Sequence, residues 1–266
     1  MGKKKIKLSK ISALHYVKLV FRSALLVVAT VLYVISRLNH TGESFAGFED
    51  SYWVLGVIWL VFFVEMVLRF FPSSTESMGC QKQFKKNFKP TGKTTPKLQS
   101  WKRTFAVAAA WILLNGVFGV LYYTHIIDEG ILVLIALAYS VCDMICILFF
   151  CPFQTWFMKN KCCTACRIYN WDYPMMCTPL VFIPNPFALS LFACSIVLLI
   201  RWEITLRRYP QRFSEETNAC LSCANCKEKL CHHKRQLRHF LKTNKDQLHL
   251  KGNTLLETVK DRKKKK

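Results

Sequence analysis

The sequence predicts an all-α, polytopic membrane protein with four transmembrane helices, one further Pro-broken membrane segment and a Cys-rich tail. Three observations carry this reading. Hydrophobic residues make up 52% of the 266 residues and arrive in long blocks, not as periodic faces. The charge, 38 Lys and Arg against 16 Asp and Glu, is gathered between and after those blocks. Its sign alternates from one connection to the next. A bilayer core of roughly 30 Å needs about 20 mostly apolar residues as a helix. A chain of this length could not cover four such helices as a soluble core. The composition therefore excludes a soluble globular enzyme, a disordered tail protein and a secreted disulfide miniprotein.

The elements follow in order. Residues 1–16 are a basic cytoplasmic N-terminus. Residues 17–150 hold the spans, over 17–37, 52–71, 104–124 and 131–150. Lys3, Lys4, Lys5, Lys7, Lys10, Lys18 and Arg22 precede or enter the first span with no acid among them. The first connection carries Glu43, Glu49 and Asp50 and no base. The second, 72–103, has eight bases and one acid, Glu76, and the third has only Asp128 and Glu129. Under the positive-inside rule the N-terminus and loop 72–103 are cytoplasmic. The first span lacks a small-x-small cleavage site and reads as an uncleaved anchor. Residues 151–174 form a cytoplasmic Cys-rich loop.

Residues 175–206 are apolar but broken at Pro184-Asn185-Pro186. Proline cannot continue a helix, and Asn185 as N-cap with Pro186 at the first position begins a new one. Only 187–200 then remain as an apolar run, a length typical of re-entrant segments. The stretch from Arg201 onward has 18 bases and 7 acids, which disfavours placing it outside. The favoured reading is a hairpin entering from the cytoplasm, with a fifth full span as the alternative. Residues 207–266 are a basic, Cys-rich cytoplasmic tail, and the expected location is the plasma membrane of a prokaryote.

Charged groups inside spans are costly and face the bundle. Arg22 and Glu65 lie at similar depth and are expected to pair, with Arg69 near the interface, where it can snorkel. Asp143 and Asn115 lie deeper. Asp143 reads either as a structural polar contact or as a proton or cation site.

The cysteines carry the chemistry. Nine of the 13, leaving Cys194 aside, lie between 151 and 231. One group is Cys151, Cys162, Cys163, Cys166 and Cys177. The other is Cys220, Cys223, Cys226 and Cys231, followed by His232. In a reducing compartment clustered thiols bind metal or do redox chemistry. The second group reads C-x2-C-x2-C-x4-C. Three thiolates at gaps of two wrap corners of a cubic iron–sulfur cluster and a fourth completes it. A tetrahedral zinc site uses the same soft ligands, with His232 available. Cys151, Cys166, Cys177 and one of Cys162 or Cys163 could hold a second metal. Cys142 and Cys146 share a face of the fourth helix, and with Met144 and Met175–Cys177 they outline a soft-metal path.

The Cys146-Ile147-Leu148-Phe149-Phe150-Cys151-Pro152 run, ahead of a Cys-dense tail, resembles the membrane-bound polyferredoxins of quinol-oxidising electron-transfer chains. The likeness covers about residues 142–231. It implies Cys-Pro motifs at helix ends, cytoplasmic [4Fe-4S] clusters and electron relay. That family has three residues between the Cys of its helix-end motif and two regular ferredoxin runs, where this chain has four residues and one irregular run.

Residues 232–250 alternate bases with Leu and Phe and suit anionic headgroups. No nucleic-acid recognition pattern and no catalytic signature is visible. Three functions follow in order: iron–sulfur electron transfer at the cytoplasmic face with a redox partner protein, a zinc-stabilised membrane scaffold, and a soft-metal transporter.

Overall fold

Long apolar blocks become helices because a helix satisfies its own backbone hydrogen bonds wherever water is absent. The computed structural model describes residues 10–39, 52–72, 83–160 and 166–225. These fall within one compact unit. The helices are α1 (Lys10–Asn39), α2 (Tyr52–Leu68), α3 (Trp101–Tyr123), α4 (Glu129–Leu148), a short α5 (Asp172–Cys177) and α6 (Pro186–Arg208). Among the described residues there is no strand, only an isolated bridge between Pro90 and Asn218.

Each predicted span contains a helix, but their lengths differ from the expectation. Among the described residues four helices are long and apolar enough to cross a membrane, and these are α1, α3, α4 and α6. Helix α2 has 17 residues, about 25 Å at 1.5 Å per residue. Helix α6 has 23, about 35 Å by the same rise. The apolar run that opens α6 ends at Ile200, yet the helix continues for eight more residues. Its added turns are anchored by tertiary contacts. Glu203 accepts from Trp171 Nε1 at 2.9 Å and pairs with Arg167, while Arg201 lies over the rings of Phe70 and Phe84. The start of α6 is as the Asn-Pro pair predicts, with Asn185 Oδ1 accepting from Phe187 N–H at 2.9 Å.

Successive helices run antiparallel, so the bundle has two distinct ends. At one, which we call the acidic end, Asp128 caps α4 by accepting from Ile131 N–H at 2.9 Å and pairs with Arg37 at 2.8 Å. Tyr33 donates to the same carboxylate, and its ring lies where a Cβ on Gly130 would come within 2.7 Å. At the other, the basic end, loop and tail meet. Thr91 N–H donates to Thr217 O, Ala219 N–H to Lys89 O, and Lys97 N–H to Ser214 Oγ. Trp202 stands between Phe84 and Phe213.

Residues 172–183 descend through the bundle as short helical turns. Trp111, midway along α3, donates to Thr178 Oγ1 at 3.2 Å. Further on, Phe182 packs where a Cβ on Gly119 would come within 2.6 Å, and its ring meets Tyr123 edge-on. This arm thus runs from the basic end to the acidic end, and α6 returns. Irregular backbone at such depth must be enclosed by protein. Tyr173, Met176, Cys177, Pro179 and Leu180 are buried, and Thr178 Oγ1 donates back to Pro174 O at 2.6 Å.

Candidate functional site

The spans carry few charges, and the structure collects them. Arg22, 3% exposed, extends from α1 toward the basic end of the bundle. Its Nη2 meets Glu65 Oε2 of α2 at 2.6 Å. Its Nη1 donates to the Ser140 carbonyl of α4 at 3.1 Å and lies 3.5 Å from Asp143 Oδ2 and 3.8 Å from Met176 Sδ. One planar guanidinium therefore ties three helices and the descending arm, which a point-charged lysine could not do. Lys18 adds a second cation to Glu65 at 3.2 Å, and Tyr173 Oη donates to it at 2.9 Å. One turn after Glu65, Arg69 pairs with Asp172 at 2.6 Å and lies over the Tyr173 ring at 4.6 Å. Arg69 was expected to snorkel to the interface. It is instead 5% exposed, because Asp172 comes to it from the arm. Lys18, Arg22 and Arg69 balance Glu65, Asp143 and Asp172, the pairing that charges need away from water.

Behind these carboxylates lies a cavity of about 280 Å³, just below the ~300 Å³ where small-ligand pockets begin. Asp143 and Asp172 line it together with Cys142, Cys146, Cys151 and Cys166. Met175 and Met176 contribute thioethers, and Trp111, Tyr139, Phe153 and Tyr169 supply aromatic walls. The C-terminal end of α4 creates this gathering. Cys142 and Cys146 share its face at i and i+4, and the helix stops at the Phe149 cap, ahead of Pro152. Cys151 follows that cap and lines the same cavity as Cys146, and the chain beyond it turns through 153–157. Gln154 N–H donates to Cys151 Sγ at 3.4 Å. Cys166 enters at the start of a turn held by Arg167 N–H donating to Gln99 Oε1.

The expected first metal group is thus divided among the described residues. Cys151 and Cys166 share the cavity. Cys177 is buried and lines a separate void of about 30 Å³ with Phe62, Leu137 and Leu191. Met144 is buried in helix packing and is not among the cavity's lining residues. Cys162 and Cys163 lie outside the described residues. In the second group, Cys220 Sγ donates to the Asn87 carbonyl at 3.1 Å, which holds the run against loop 72–103. Cys223 opens a short turn, Cys223–Asn225; its side chain, with Cys226, Cys231 and His232, lies outside the described residues. Among the described residues no three His, Cys, Asp or Glu side chains converge to hold a metal ion. Asn115 is buried and its amide donates to Trp111 O at 2.9 Å within α3.

Sequence reasoning did not find Tyr173, Asp172 or Met176 as partners of the charged residues. They lie more than 100 residues beyond Glu65 and Arg69 in a stretch that reads as a loop entering an apolar block, and no local periodicity points to them. A signal did exist in the arithmetic. Lys18, Arg22 and Arg69 sit in or beside spans that hold only Glu65 and Asp143 as acids, so a third acid was owed. Compared with protein-family models, curated proteins and solved structures, the chain matches none.

Proposed function

We propose that the protein is a multi-pass membrane protein that binds metal through cysteine thiolates at its basic end. The observation that carries this reading is the convergence of thiols from separate stretches on that end. Cys142, Cys146, Cys151 and Cys166 share one cavity, and the tail bearing Cys220 is paired to loop 72–103. The basic end is cytoplasmic by the charge alternation of the connections. In this reading α1 to α4 cross the bilayer, and the arm over 172–183 with α6 forms a hairpin that enters and leaves on the cytoplasmic side. The hairpin keeps the 18 bases from Arg201 onward inside.

The spacing C-x2-C-x2-C-x4-C favours an iron–sulfur cluster on Cys220, Cys223, Cys226 and Cys231. Electron transfer to a partner protein at the membrane face is the function such a centre supplies. The second reading is a zinc-stabilised scaffold; it is favoured by Cys220 being held against loop 72–103, as in a centre that ties two stretches together. Anaerobic purification with metal analysis and visible absorption tests both. Iron with a broad visible band that bleaches on reduction supports electron transfer. Colourless protein with stoichiometric zinc supports the scaffold. Gently isolated protein with neither metal overturns the proposal.

A further inference from the structure

Apart from the 220–231 run, the thiol-lined cavity has a chemistry of its own. We propose that Cys146 and Cys151 form a two-coordinate site for a monovalent thiophilic cation of the Cu(I) and Ag(I) class. Both residues line that cavity, one on either side of the Phe149 cap that ends α4. Two sulfur ligands suit a soft monovalent ion, whereas structural zinc takes four ligands. The latter set is not assembled here, since no three His, Cys, Asp or Glu side chains converge among the described residues. Cys142 and the thioethers of Met175 and Met176 line the same cavity and provide soft surface along which such an ion can move.

Two further observations point to a cation. Asp172 is 7% exposed and lines the cavity. Its Oδ2 pairs with Arg69, but Oδ1 is buried without a hydrogen-bond partner, and a buried acceptor left so calls for a donor or a positive charge. Gln154 N–H, aimed at Cys151 Sγ, is placed to stabilise the thiolate that a metal needs. Loading breaks two S–H bonds, forms two sulfur–metal bonds and releases two protons to the buffer, with no electron transferred. This inference shares with the proposed function only that thiolates are ligands; it does not require a metal on the tail.

The test uses Ag(I), which needs no reductant, with the full-length chain in detergent micelles. Cys220, Cys223, Cys226 and Cys231 are changed to Ser, so that loss of iron or zinc from the tail and loss of silver from the cavity are read separately. Anaerobic titration against a competing chelator should give one tightly bound Ag(I), two protons released per ion and two sulfur neighbours by X-ray absorption. Cys146→Ser and Cys151→Ser should each weaken binding by about 100-fold or more, beyond the ~10–100-fold that loss of an outer-shell partner costs. Cys194→Ser, outside the cavity, should leave it unchanged. Gel filtration checks that each variant folds, and the absorption spectrum of the unsubstituted cavity stands without any variant. Three or four sulfur neighbours, no tight silver, or affinity undiminished in the Cys146→Ser and Cys151→Ser variants would overturn the site.

Discussion

Replacing Arg22 with Met removes the one side chain that bonds to α1's three neighbours at the basic end. Its partners would not suffer equally. Glu65 keeps Lys18 at 3.2 Å and Tyr173 at 2.9 Å, so its charge stays compensated. Asp143, whose side chain is 16% exposed, loses its ion pair, and the Ser140 carbonyl loses its side-chain donor. Breaking a buried pair from one side costs about 3–5 kcal/mol, and we expect Arg22→Met to fall in that range. Glu65→Gln leaves Arg22 with Asp143 and Ser140, and Lys18, 26% exposed, can turn to water. Its cost should be nearer 2 kcal/mol, about one charge-assisted hydrogen bond. Asp143→Asn gives up only the longer 3.5 Å contact and should cost less again. The assay is reversible unfolding in mixed detergent micelles, with the Arg22→Met/Glu65→Gln double mutant closing the cycle. A coupling of about 1–3 kcal/mol is expected for groups in direct contact. Strict additivity, or an Arg22→Met cost below about 1 kcal/mol, would refute the view that this network holds the bundle together.

Other outcomes follow from the same geometry. Gly119→Ala drives a methyl into the Phe182 ring, 2.6 Å from the added carbon, and should cost about 1–3 kcal/mol by overpacking. Gly116→Ala, with nothing within 4 Å, should be neutral or stabilise α3 by up to ~1 kcal/mol; equal effects in thermal unfolding would deny that the arm packs on α3. Asn185 lies with Glu129 and Trp59 around one void at the acidic end, so in a background without other reactive thiols, Asn185→Cys should label with an impermeant reagent on intact cells. Labelling only after permeabilisation would mean that the hairpin stops short. Asp172→Asn should free the Arg69 guanidinium, 5% exposed, and destabilise by about 3–5 kcal/mol. An Arg69→Met/Asp172→Asn pair should recover much of that loss in the same unfolding assay.

Much of the helical plan was legible because apolar blocks and breakers are local signals. The Asn185-Pro186 start needed only two adjacent residues. The end of α6 was not legible in the same way. Arg201, Glu203, Arg207 and Arg208 look like a stop, and only the arrival of Phe70, Phe84, Arg167 and Trp171 explains why the helix continues through them. The thiol groups were legible as clusters in sequence, but not as a site. Cys166 and Cys177 are eleven positions apart, and the fold sends one to the thiol-lined cavity and the other to a separate void beside Phe62 and Leu191. Cys142 and Cys146 were expected on one face, and that face lines the cavity that the fold closes with Cys151.

By itself the order of residues determined where helices form and which connections are acidic or basic, since hydropathy, Pro and charge act over a few positions along the chain. Tertiary structure alone decided which acid meets which base, and which sulfur meets which. Those choices depend on residues more than 100 positions apart being brought within 3 Å, as Arg69 and Asp172 are. Burial then forces each charge to find a partner, because in the absence of water an unpaired ion costs more than any local propensity can offset.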